Sequence, residues 1–286
     1  MVGTVPLRKH RGGTGPRHTL ALDIQQRKAK HGIRRNDPDT ETESSLDSTD
    51  TPLYKWGITV DLRSAPVTAV ETLLRFKDEA GQICHFSKIV PDPTFLELSS
   101  EYSNLFHKAQ VHAALQLFGL GYRYVSFNIS TDHLLNSQWV QRASEFCKFV
   151  RSQYPNHGLV FEIIETPASE DLNELVLKAP IDSLRLQGAY FAIDDFGKRG
   201  ASILRLCQLQ LEYLKLDRSL VDTAISSVFA RDLICALVSE CHRHNISVIA
   251  EGVESQELSE AWRELNVTLQ QGFLFDRPKS IDRLLG

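Results

Sequence analysis

From Leu53 onward, short apolar runs rich in Val, Ile, Phe and Tyr alternate with longer stretches whose apolar residues recur every three or four positions. The short runs suit buried strands and the longer stretches suit amphipathic helices. The pattern predicts strands over Val67–Arg75, Tyr124–Ser130, Leu159–Glu165, Tyr190–Asp195, Tyr213–Asp217, Ser247–Glu251 and Gln271–Phe275. It predicts helices over Ser103–Phe118, Gln138–Gln153, Asp171–Leu177, Ser202–Leu209, Ala230–His244 and Ser255–Leu265. In Ala230–His244 the helical spacing is carried by Leu233, Ile234, Leu237 and Val238.

Alternating strands and helices imply an α/β fold with a parallel sheet and right-handed crossovers. About seven or eight such units in roughly 235 residues fit a (β/α)8 TIM-type barrel. An open doubly wound sheet is the other arrangement of this pattern. It usually carries a Gly-rich phosphate loop after its first strand, and neither GxGxxG nor GxxxxGK[ST] occurs in the chain.

The first fifty residues are of another kind. Arg8, Lys9, Arg11, Arg17, Arg27, Lys28, Lys30, Arg34 and Arg35 stand against one acid, Asp23, up to Arg35. The sign then reverses through Asp37, Asp39, Glu41, Glu43, Asp47 and Asp50 in a Ser/Thr-rich setting. Such a segment buries too little apolar surface to offset its ordering entropy. Residues 1–52 are therefore expected to be a disordered, basic-then-acidic tail, with Leu20 to Ile24 forming at most a helical turn, and residues 53–286 the barrel domain. The basic part suits nucleic acid or an acidic membrane surface, although the acidic half partly neutralises it. The tail is also a candidate contact for a protein partner.

The 286 residues carry a formal charge of −4, with 42% hydrophobic and 24% charged residues, as in ordinary soluble proteins. No apolar run approaches the ~20 residues that span a bilayer, so no transmembrane segment is expected. No apolar stretch follows the N-terminal charges, as a secretory signal requires. Of the five cysteines (Cys84, Cys147, Cys207, Cys235 and Cys241) none forms a CxxC pair, which fits reduced thiols in a cytoplasmic protein. Cys241, His242 and His244 lack the second pair of ligands that a zinc site needs.

Candidate chemistry lies where the strands end. The polar residues there are Glu71 and Arg75, Asn128, Glu162 and Glu165, Asp194 and Asp195, Lys215 and Asp217, Glu251 and Glu254, and Gln271. A single Glu at a strand end is ordinarily a helix cap or a solvated loop residue, and a single Asn a turn former. In a (β/α)8 barrel, however, all the strands open onto one mouth at their C-terminal ends. Residues two apart on a strand face the same way, which would align Lys215 with Asp217. All-oxygen ligands without His or Cys favour Mg2+ or Mn2+. Several carboxylates and an Asn carbonyl suit two ions about 3.5–4 Å apart, a spacing fit for phosphodiester hydrolysis. A shared dication also explains why Asp194 and Asp195 tolerate adjacency.

The motifs "ETLLR" (Glu71–Arg75), "FNIS" (Phe127–Ser130), "FEIIE" (Phe161–Glu165), "IDDFG" (Ile193–Gly197), "LKLDRSLV" (Leu214–Val221), "IAEGVES" (Ile249–Ser255) and "QGFLFDRP" (Gln271–Pro278) occur in this order. Together they resemble the EAL domain, the bacterial cyclic di-GMP phosphodiesterase family, over roughly Leu53 to Leu285. The resemblance implies a barrel that takes cyclic di-GMP, two Mg2+ or Mn2+ ions and the product pGpG, commonly as a homodimer. It implies Glu71, Asn128, Glu162 and Asp194 as first-metal ligands, with Asp194 bridging to a second ion near Asp195. Lys215 would position the attacking water. Glu251 and Gln271 would complete the metal and water site, and Arg75 would hold a phosphate. Glu165 would brace the loop after "DDFG", with Asp217 and Glu254 as supporting residues at the metal and substrate sides.

The sequence departs from the family pattern twice. Thr72 replaces Ala in the signature, on the strand face opposite Glu71. Lys198-Arg199-Gly200-Ala201-Ser202-Ile203 replaces a loop that usually reads close to Thr-Gly-Tyr-Ser-Ser-Leu. Losing a Gly at Arg199 restricts that loop, and its two bases either touch nucleotide or are solvated. The resemblance also covers members that bind the nucleotide without cleaving it, or that regulate transcription or motility through proteins. Acids and a Lys at barrel strand ends suit enolase-type proton abstraction as well, but that architecture usually has a folded capping domain before the barrel.

Overall fold

The strands of this protein alternate between two environments. In the computed structural model Val125, Phe127 and Ile129 lie under the helices, while Tyr124, Ser126 and Asn128 on the same strand face the other way, as a period of two requires. The structure describes residues 19–25, 54–56, 69–77, 83–85, 99–164, 175–198, 203–279 and 281. The strands are β1 Thr19–Gln25, β2 Tyr54–Trp56, β3 Ala69–Lys77, β4 Ile83–His85, β5 Tyr124–Ser130, β6 Gly158–Ile164, β7 Ala189–Phe196, β8 Tyr213–Leu216, β9 Ser247–Ala250, β10 Leu269–Gln270 and β11 Pro278–Lys279. The helices are α1 Ser99–Gly119, α2 Thr131–Leu135, α3 Ser137–Gln153, α4 Leu175–Leu186, α5 Ile203–Leu209, α6 Arg218–Ser226, α7 Val228–Arg243 and α8 Gln256–Glu264.

The seven strands β3, β5, β6, β7, β8, β9 and β10 pair in that order, each parallel to the next. Helices connect them, the arrangement of a (β/α)8 TIM-like fold. Each helix buries one stripe on the sheet: Trp139, Ala143 and Val150 from α3, Leu177, Ile181 and Leu184 from α4, and Leu258 and Trp262 from α8. The caps are local: Asn136 opens α3, Asp217 opens α6, Ser227 opens α7 and Ser255 opens α8, each accepting from a backbone N–H of the first turn.

Inside the curl the side chains stack in layers. Tyr124, Tyr190 and Tyr213 meet edge to face near the N-terminal ends of β5, β7 and β8. Gly158 between them has no space for a Cβ, which would lie 2.8 Å from Tyr190 and 2.9 Å from Tyr124. Ala69 of β3 packs in one cluster with Ile249 of β9, joined by Tyr124, Tyr213 and Leu269. The first strand of the parallel series thus meets β9, next to its last, across the interior.

Several boundaries differ from the sequence pattern. Leu20 to Ile24 is no helical turn: it belongs to β1, antiparallel to β3. That stretch departs from the expected disordered tail, whose remaining residues up to 52 lie outside the described set. Gln271–Phe275 is not a strand. The strand is Leu269–Gln270, and the chain turns at Gly272. The helix expected at Asp171–Leu177 runs over Leu175–Leu186 and includes Pro180. Buried Leu177, Ile181 and Leu184 hold it past a residue that usually ends helices. No helix among the described residues is long and apolar enough to cross a membrane. Cys147, Cys207, Cys235 and Cys241 are free thiols.

Candidate metal and active centre

Two residues above each interior layer, the strands present polar side chains. From Ala69 the period of two leads to Glu71, from Ser126 to Asn128, from Val160 to Glu162, from Ala192 to Asp194 and from Tyr213 to Lys215. Just beyond β9 and β10 stand Glu251 and Gln271. The Glu251 N–H donates to the Leu216 carbonyl, and the Gln271 N–H to that of Ala250.

Lys215 stands at the centre. Its Nζ lies 2.5 Å from Glu162 Oε2, 2.8 Å from Glu251 Oε1, 2.9 Å from Asp194 Oδ1 and 3.3 Å from Glu71 Oε2. The ammonium is 1% exposed, so each carboxylate acts on it with little solvent screening. Burial alone would lower the Lys215 pKa, but the charges of Asp194, Glu162, Glu251 and Glu71 hold it well above its ordinary value. Burial pushes Glu162 up to about 8, helped by the neighbouring charge of Glu71. Glu251 also rises well above the usual range, through burial and the Asp194 charge. Burial opposes ionisation of Asp194 too, yet Lys215 and the backbone N–H of Asp195 bring it below the ordinary value. Four carboxylates around one ammonium leave an excess of negative charge that partial protonation relieves.

Glu71 is fixed from two sides. Asn128 Nδ2 donates to its Oε1 over 2.8 Å, and Gln271 Nε2 to its Oε2 over 2.6 Å. Thr72 lies on the other face, donating to the Ser126 carbonyl over 2.8 Å. The amide oxygens of Asn128 and Gln271, and Oε1 of Glu162, are buried without a hydrogen-bond partner. Unpaired buried oxygens beside surplus carboxylates form a donor set suited to a hard divalent cation.

The paired aspartates have a structural cause. Between β7 and β8 the register runs Ile193↔Leu214 and then Phe196↔Leu216, so β7 holds one residue more than its partner. Asp195 takes up this bulge with φ of 54°. A regular strand would turn two neighbours to opposite faces. Here Asp194, Asp195 and Glu251 each place a carboxylate oxygen within 4.8 Å of the others.

Asp217 is not where strand alternation puts it. β8 stops at Leu216, and Asp217 caps α6, accepting from the Ser219 N–H over 3.0 Å. Its other oxygen lies 3.1 Å from Lys198 Nζ, which also pairs with Asp195. Glu254 is exposed and pairs with Arg218 over 2.8 Å. Glu165 lies outside the described residues, as do Arg199 and Gly200. Arg75 is on β3, but its side chain lies outside the described set. Lys198 is the residue that strand-end reading undervalued. The signal for it was a base three positions after Asp195, directly behind the turn glycine Gly197.

Residues 58–278 match the family model described as EAL domain. The chain belongs to the EAL domain family. It is 36% identical over 129 residues to "Cyclic di-GMP phosphodiesterase RocR" of Pseudomonas aeruginosa, a match covering 43% of this chain and 31% of RocR. It is 25% identical over 228 residues to "Cyclic di-GMP phosphodiesterase PdeF" of Escherichia coli (strain K12), covering 77% of this chain and 30% of PdeF. An EAL domain protein from Listeria monocytogenes EGD-e superposes with a TM-score of 0.68 at 25% identity, covering 82% of this chain and 90% of that one. The chain spans 20% to 42% of the length of the first curated relatives it matches. EAL relatives that are cyclic di-GMP phosphodiesterases thus share the fold that builds this centre.

Proposed function

We propose that this EAL domain is a metal-dependent phosphodiesterase that opens cyclic di-GMP to linear pGpG. The observation that carries the reading is the donor set around Lys215: Glu71, Asn128, Glu162, Asp194 and Glu251, with Asp195 alongside. These residues would hold two Mg2+ or Mn2+ ions. Such ions supply Lewis acidity to a phosphoryl oxygen and lower the pKa of a water. Lys215 would then hold the attacking water by a hydrogen bond from Nζ, and Asp195, at the exposed edge, would take its proton. Gln271 and Asn128 keep the Glu71 carboxylate in one orientation. Arg75 would grip a phosphate with its forked guanidinium, and Glu165 would brace the loop beyond β7. The names of RocR and PdeF support the substrate. A cytoplasmic homodimer belongs to the same reading, and the exposed Ile225, Val228, Phe229 and Leu233 supply an apolar surface for it.

The test is incubation of the full chain with cyclic di-GMP and Mg2+ or Mn2+, followed by chromatography of the nucleotide. Conversion to pGpG, abolished in Glu71→Ala, is expected. Unchanged nucleotide with both metals across neutral and alkaline pH would overturn the assignment. The pairing of Lys198 with Asp195 favours a second reading, a receptor that binds cyclic di-GMP without cleaving it. Calorimetry with the nucleotide recovered intact would identify that case.

A further inference from the structure

Lys198 is held in place by its backbone. Gly197 before it has φ of 107°, and a Cβ there would lie 2.5 Å from Leu220 Cγ, so the turn fits glycine alone. The Lys198 N–H donates to the Asp195 carbonyl over 3.1 Å, which folds the chain back on itself. Asp217 is fixed as the cap of α6, and its own N–H donates to the Phe196 carbonyl over 2.9 Å. The Lys198 ammonium bridges the two carboxylates so presented.

Among the described residues, two lysines serve the centre in different settings. Lys215 serves the inner carboxylates and is buried at 1% exposure, whereas Lys198 serves Asp195 and is 52% exposed. Asp195 also belongs to the group of three carboxylates, with Asp194 and Glu251, whose oxygens converge. Glu162, which shares Lys215 with Asp194 and Glu251, and Gln271, which holds Glu71, each keep a buried oxygen without a hydrogen-bond partner.

We propose that Lys198 sets the affinity of the outer metal position: its ammonium is a tethered occupant of Asp195, and a divalent cation binds there only by displacing it. The inference rests on the metal-dependent reading above. Displacement is feasible because the freed ammonium returns to water and keeps Asp217 as a partner. Its effect is bounded, because exposed ion pairs are weak: removing the charge should tighten the outer position about two- to fivefold.

The experiment is a titration of the full chain, stripped with EDTA, with Mn2+ alone, reading free Mn2+ by its electron paramagnetic resonance signal. Wild type, Lys198→Met and Lys198→Arg are compared, with circular dichroism as the check on folding. Two classes of site are expected, with the weaker class tightened in Lys198→Met and near wild type in Lys198→Arg. Two-class binding with equal constants in wild type and Lys198→Met overturns the role of Lys198 and leaves the metal centre standing. Lys198→Arg behaving as Lys198→Met overturns it equally, since charge would then not be the cause. No binding of Mn2+ by any of the three proteins overturns the metal reading and this inference together.

Discussion

Gln271 Nε2 donates a 2.6 Å hydrogen bond to Glu71 Oε2, joining side chains 200 positions apart in the sequence. Gln271 follows the last strand of the parallel series and Glu71 sits on the first, so the bond ties the two ends of that series at the centre itself. It also fixes the carboxylate that Lys215 and Asn128 share. Gln271→Ala should therefore lower metal affinity and turnover about 10- to 100-fold, the usual cost of losing a group that orients a ligand. Mn2+ titration and nucleotide chromatography on the same preparation check this.

Lys215 is the shared counter-ion of four carboxylates. Lys215→Met should lower the stability of the metal-free protein by about 3–5 kcal/mol, because buried charges lose their counter-ion. Mn2+ should return much of that stability. Urea unfolding in EDTA and in Mn2+ gives both numbers.

The metal-free protein should become less stable as pH rises from about 5 to 8. Glu162 ionises near 8 in the folded chain, because of burial and the Glu71 charge, and Glu251 is raised as well. Unfolded, both lose their protons at about 4.3. Over that window the folded state binds more protons than the unfolded state, so stability falls with pH. Asp194, shifted down, acts only at lower pH, and Lys215, shifted up, only at higher pH. Thermal melts in EDTA should show the decline, and Glu162→Gln should flatten it.

Gly272→Ala should be severely destabilising. A Cβ at this position would lie 2.1 Å from the Val253 carbonyl oxygen and 2.2 Å from its nitrogen, both parts of rigid backbone. The Val253 N–H donates to the Gln271 carbonyl across the same contact. A loss of roughly 3 kcal/mol or more is expected. Chemical denaturation measures it.

Glu254→Ala should cost little. Its carboxylate is exposed and occupied by Arg218. Exposed pairs contribute about 0–1 kcal/mol, so melting and Mn2+ affinity should stay close to wild type.

The centre was legible because a period of two and a common barrel mouth suffice to predict which side chains converge. Glu71, Asn128, Glu162 and Lys215 sit on regular strand, and Asp194 stands directly before the residue that takes up the bulge, so counting residues gives direction. Counting failed where the strand stopped. Asp217 lies one residue past the end of β8, and its side chain caps a helix instead. The last strand was misplaced because Phe273, Leu274 and Phe275 look like strand by composition, while the close packing of Gly272 on Val253 is a tertiary fact. The role of Lys198 depends on a bulge and a turn, whose geometry no hydrophobic period encodes.

The burial of the Lys215 ammonium has one more consequence. The domain carries its own counter-charge, so its folding is not contingent on ion supply, unlike small zinc domains that collapse only when loaded. Withdrawing metal should therefore empty the centre while leaving the barrel folded around Lys215.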